Sequence, residues 1–111
     1  QVHYLRACAP EASILFIGPS DMSTRIDGEM VTYPLVPYMD RLLKKMAEEE
    51  QIAYWSMYNA MGGQNSMVKW VEIGWAGSDY VHFTRAGANK VGKMLYDWLM
   101  NYQPQPLNAN L

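Results

Sequence analysis

Cysteine is nearly absent from this chain: Cys8 is the only one in 111 residues. A lone cysteine excludes an internal disulfide and leaves the redox compartment open. Histidine is almost as scarce, and His3 and His82 are too far apart in sequence to pair at metal-ligand spacing. Neither a metal nor a phosphate-cradling glycine loop is expected, and no cofactor. The net charge of -2 comes without any basic cluster, so there is no electrostatic footprint for nucleic acid. No apolar run approaches the length of a membrane span, and no signal peptide is visible. The first residue is Gln1 rather than Met, so a processed or excised piece is expected.

What is present describes a folded chain. Hydrophobic residues make up 50% and charged residues 18%, a balance that argues against disorder. The length suits one small unit with a real core. Ser13 to Gly18 is an almost continuous apolar run between two prolines, the pattern of a strand buried on both faces of a parallel sheet. Val2 to Ala7 reads as the end of a helix. Pro19 to Tyr33 is rich in Ser, Asp, Thr and Gly and reads as a loop.

Pro34 and Pro37 mark the start of a helix. Its Leu35, Tyr38, Met39, Leu42, Leu43 and Met46 are predicted to face the sheet, with Lys44, Lys45, Glu48, Glu49 and Glu50 in solvent. Ile52 to Met57 is a second strand, rich in aromatics. Gly62 and Gly63 break the chain, and Asn65 or Ser66 would cap a short helix through Glu72. Thr84 is the expected cap of a last helix with a core stripe of Ala88, Val91, Leu95, Trp98, Leu99 and Tyr102. Residues 103–111 are expected to form a tail. The nine methionines read as core filler.

The candidate chemistry lies in Gly77-Ser78-Asp79-Tyr80-Val81-His82-Phe83-Thr84-Arg85-Ala86-Gly87. A carboxylate three residues before an imidazole has a plain reading, a turn residue beside a packed histidine. It also has a catalytic one. A serine hydrolase needs a histidine to take the nucleophile's proton and a carboxylate to orient that ring. The run Asp79 to Asn89 closely resembles the last conserved block of the SGNH (GDSL-type) hydrolases, an Asp-x-x-His followed by a polar-small-Gly stretch. Met61 to Trp70 is similar to the preceding segment in a bacterial subgroup that includes extracytoplasmic carbohydrate and peptidoglycan esterases.

That resemblance carries its own expectations. The fold would be α/β, the C-terminal part of a parallel-sheet α/β/α sandwich containing its last two strands and flanking helices, with residues 1–111 forming part of a single domain. Asp79 and His82 would be the catalytic carboxylate and base of an ester hydrolase that works through an acyl-enzyme and acts on O-acyl esters of carbohydrate. The nucleophilic serine would lie on an N-terminal part outside this chain, and that missing half, or a second copy of the chain, would be the partner. An extracytoplasmic location is implied by the resemblance alone.

Other candidates are weaker. Gly18-Pro19-Ser20-Asp21 superficially resembles the family's first block, but proline stands in for its Asp, and Asp21 follows the serine. A lining role for Ser20 or Asp21 is expected, with Ser20 as nucleophile the less favoured reading and Ser66 less still. Gly62 and Gly63 suit backbone approach to an oxyanion or sugar, or simply a turn. Trp75 is the tryptophan nominated for stacking on a sugar ring. The alternative to an esterase is a non-catalytic carbohydrate- or protein-binding module of the same fold.

Overall fold

The computed structural model describes residues 1–103; the tail expected beyond Gln103 lies outside them. In chain order the elements are α1 (Val2–Cys8), β1 (Leu15–Ile17), β2 (Ser23–Ile26), β3 (Glu29–Thr32), α2 (Leu35–Glu49), β4 (Ala53–Trp55), α3 (Met57–Met61), α4 (Ser66–Ile73) and α5 (Arg85–Met100). The chain is α/β. Strands β1 and β4 pair in parallel with Leu15 opposite Ala53 and Ile17 opposite Trp55. A further bond, Gly18 N–H to the Trp55 carbonyl at 2.8 Å, extends the pairing past β1.

Residues 23–32 are not the loop that their composition suggests. Strands β2 and β3 form an antiparallel hairpin in which Ser23 faces Thr32 and Ile26 faces Glu29. Its tip is Asp27-Gly28, both at positive φ (50° and 83°). An Asp-Gly pair is what a two-residue hairpin turn demands, because mirror-image turns match the twist of the flanking strands.

Helix α2 also departs from expectation. It buries Val36, Asp40 and Ala47, with Leu43 half-buried, whereas Leu35, Tyr38, Met39, Leu42 and Met46 are exposed. The two sets have the same helical spacing, one residue out of phase, which rotates the buried face by about 100°. The rotation has a chemical cause. Asp40 accepts the Tyr54 hydroxyl at 2.5 Å and the Ser56 hydroxyl at 2.9 Å to each oxygen. Burial, and then this carboxylate, push the Tyr54 hydroxyl well above its ordinary pKa, so it stays a donor. Gly18 leaves room for the network, since a Cβ there would lie 2.0 Å from the Tyr54 oxygen.

The apolar core sits beyond the sheet, where Met61, Met67, Trp70 and Ala76 are buried and Trp75, Tyr80, Phe83, Val91 and Met94 pack against them. Complete burial of a side chain such as Met67 contributes about 1.5–3 kcal/mol. The methionines divide: Met61 and Met67 fill the core, while Met39, Met46 and Met100 are exposed. Helix α5 contributes Val91, Met94, Leu95 and Trp98 to its half-buried side; Ala88, Leu99 and Tyr102 of the expected stripe are exposed. Its N-cap is as expected, with the Thr84 hydroxyl accepting from Gly87 N–H at 3.2 Å.

Candidate functional site

Asp79 and His82 lie on a tight turn closed at its base by backbone. Ala76 and Phe83 form an antiparallel bridge, Gly77 N–H donates to the His82 carbonyl at 2.8 Å, and Thr84 N–H to the Trp75 carbonyl at 3.0 Å. The Thr84 hydroxyl adds a bond to the Gly74 carbonyl at 2.7 Å. Helix α5 starts hard against this base: a Cβ on Gly87 would lie 1.7 Å from the Trp75 oxygen. Only glycine fits there.

Within the turn, Asp79 Oδ1 accepts from the N–H groups of Val81 and His82, both at 3.0 Å. Oδ2 lies 2.7 Å from His82 Nδ1. The imidazole, then these backbone donors, hold the carboxyl down at a pKa of about 2. A carboxylate that is ionised at neutral pH can only accept. Neutral His82 must therefore carry its proton on Nδ1, which leaves the Nε2 lone pair free on a side chain that is 83% exposed. A ring in this state can take a proton from a hydroxyl brought to Nε2.

Tyr80, between the two, has φ 59°. For a non-glycine residue that backbone costs about 1–2 kcal/mol. Its carbonyl accepts from Ser23 N–H at 3.1 Å, which joins the turn to the start of the hairpin.

The other candidates are placed as follows. Asp21 is fully buried. Its Oδ2 accepts from Met67 N–H at 2.9 Å, the Thr32 hydroxyl at 3.1 Å and the Ser66 hydroxyl at 3.4 Å. This carboxylate ties the hairpin to the start of α4, and sequence reasoning had no signal for it. Asn65 strengthens the tie: its side chain accepts from Thr32 N–H at 3.0 Å, and its own N–H donates to the Thr32 hydroxyl at 2.6 Å. Asn65 thus spends its side chain on β3 rather than on capping α4.

Gly62 and Gly63 end α3, and their N–H groups already donate to the Asn59 and Tyr58 carbonyls at 3.1 and 2.9 Å. Trp75 is half-buried, meets Trp70 edge to face at 5.0 Å, and has Lys90 Nζ 5.4 Å from its ring centre. Of the six serines, Ser23 and Ser66 are buried, Ser56 is bonded to Asp40, and Ser13 is exposed just before β1. Ser78 belongs to the turn itself, and Ser20 is half-buried after β1. Among the described residues none of their hydroxyls is hydrogen-bonded to His82, and no three His, Cys, Asp or Glu side chains gather as a metal-ligand set. No helix of the described residues is long and apolar enough to cross a membrane.

Solved structures share this fold. A peptidoglycan O-acetylesterase superposes with a TM-score of 0.82 at 32% identity, over 89% of this chain and 29% of that one. The esterase domain of the ORF1 protein from the zebrafish ZfL2-1 retrotransposon superposes with a TM-score of 0.64 at 17% identity, over 91% of this chain and 54% of that one. The second likeness concerns the fold alone. No family model and no curated protein matches. The chain is an SGNH hydrolase-like α/β unit with esterases as its structural neighbours. It spans less than a third of the length of the peptidoglycan O-acetylesterase and about half of the retrotransposon domain.

Proposed function

We propose that this chain supplies the acid–base half of a serine esterase acting on O-acyl esters of carbohydrate, with Asp79 and His82 as two members of the triad. The observation that carries the reading is the 2.7 Å contact between Asp79 and Nδ1 on a ring whose other nitrogen faces solvent. Nε2 takes the proton of a serine hydroxyl as that oxygen attacks the ester carbonyl. The imidazolium, steadied by Asp79, then returns the proton to the leaving alcohol. Water repeats the sequence on the acyl-enzyme and releases the acid. The carbohydrate part of the proposal rests on the likeness to the peptidoglycan O-acetylesterase.

The nucleophile belongs, on this reading, to a further α/β segment that completes the domain. Support comes from the surfaces left uncovered. A two-stranded parallel pair is thinner than sheets that stand alone. Leu35, Tyr38, Met39, Leu42 and Met46 form an exposed apolar stripe along α2, and Ile17 of β1 is 48% exposed. More strands and helices would cover these faces, as would a second copy of the chain.

The test is a chimera in which residues 1–103 replace the matching portion of the peptidoglycan O-acetylesterase. Acetate release from O-acetylated peptidoglycan is expected, with His82→Ala lowering kcat at least about 10³-fold. Release that is indifferent to His82 contradicts the proposal.

A further inference from the structure

Tyr80 bears no acid–base group that the proposed reaction needs, yet it sits at the most constrained point of the dyad turn. Its φ of 59° is a backbone conformation that tyrosine rarely adopts. Three contacts hold it there. Its N–H donates to the Gly77 carbonyl at 3.0 Å, and its own carbonyl accepts from Ser23 N–H at 3.1 Å. Its ring packs on the cluster of Met61, Met67, Trp70 and Ala76. The Ser23 donor is itself fixed, because the hairpin that starts there is tied to α4 through Asp21, Thr32 and Asn65. An anchor in the core and an anchor on the hairpin thus converge on the residue that follows Asp79.

Resting on the reading of Asp79 and His82 as the base pair of an esterase, we propose that Tyr80 is the positioning residue of that pair. Its seated ring and held carbonyl keep the left-handed turn that folds Asp79 back to meet Nδ1 and the N–H groups of residues 81 and 82. Glycine would adopt the same φ at no steric cost, but it would adopt others as readily. Tyrosine selects one conformation through its ring, so the dyad is assembled before any substrate or nucleophile arrives.

The experiment reads the tautomer of His82 directly. The ¹⁵N shifts of its two ring nitrogens are measured in the 111-residue chain at about pH 8, above the ordinary imidazole range. The unaltered chain is expected to hold the Nδ1–H form, and Tyr80→Phe to keep it. Tyr80→Ala and Tyr80→Gly are expected to lose it in favour of Nε2–H, while the amide spectrum of α4 and α5 stays native-like. The glycine variant carries the test if the alanine variant does not fold. Retention of the Nδ1–H form in Tyr80→Gly, as complete as in the unaltered chain, reduces Tyr80 to core packing and overturns the proposal. Absence of that form in the unaltered chain defeats the base-pair reading itself, a result distinguishable from failure of the Tyr80 variants alone.

Discussion

The dyad turn and helix α2 satisfy their groups in opposite ways. From Gly74 to Gly87 the chain closes on itself: backbone bonds seal its base, Thr84 caps the following helix, and Asp79 collects three donors of its own segment. Helix α2 spends its inner face on a carboxylate, Asp40, and leaves its largest apolar side chains in solvent. Local hydrogen bonding can close a turn of this kind within 14 residues. A layer of an α/β fold cannot be finished that way, because apolar area is removed from water only by other apolar surface.

Breaking the closed turn, or the Asp21 tie between the hairpin and α4, should give the largest effects. Gly87→Val drives a side chain into the Trp75 carbonyl, and a loss of about 3 kcal/mol or more is expected in chemical denaturation. Asp21→Ala strips Met67 N–H and the Thr32 hydroxyl of their buried acceptor, at a cost of about 2–3 kcal/mol. Asp21→Asn, which keeps an acceptor, should cost clearly less. Thr84→Ala removes both the α5 cap and the bond to Gly74, a loss of about 1 kcal/mol in the same measurement.

Acid probes the turn more gently. The Asp79 carboxyl is depressed from 3.8 to about 2, so its stabilising contribution is fully present above 3.8 and disappears as pH falls through about 2. The Val81 and His82 amide resonances should shift through that window, and Asp79→Asn should abolish the shift.

The open side should respond least in stability. Leu35→Lys with Tyr38→Lys is expected to change unfolding by under about 0.5 kcal/mol, because each side chain is more than half exposed, at 54% and 55%. The same pair should lower self-association in sedimentation, and a large destabilisation would mean that the stripe is not open.

The sequence was legible where one signal had one meaning. The apolar run around Leu15 to Ile17, the aromatic strand at Ala53 to Trp55 and the Thr84 cap all led to the observed elements, although β1 is half-buried at Leu15 and Phe16 and exposed at Ile17 rather than buried on both faces. It misled where two patterns overlapped. In α2, Leu35, Met39, Leu42 and Met46 recur at the same spacing as Val36, Asp40, Leu43 and Ala47, and the larger residues took the vote. What decides between them is Asp40 bonding to Tyr54 and Ser56, a contact across 14 to 16 residues that periodicity cannot express.

The hairpin has a local signal, Asp27-Gly28 between Thr-Arg-Ile and Glu-Met-Val, but that turn pair is hidden in a polar stretch. Asp21 and the left-handed Tyr80 carry no local mark at all. Their roles arise only from long-range packing.

The central claim is that His82 is a poised base whose serine lies outside this chain. Hydrolysis of p-nitrophenyl acetate by the 111-residue chain, beside His82→Ala and Ser20→Ala, tests it most directly. A slow rate that falls with His82 and ignores Ser20 is the predicted result. A rate lost in both variants, with acyl transfer to Ser20, would contradict the account and make the chain an esterase with its own nucleophile.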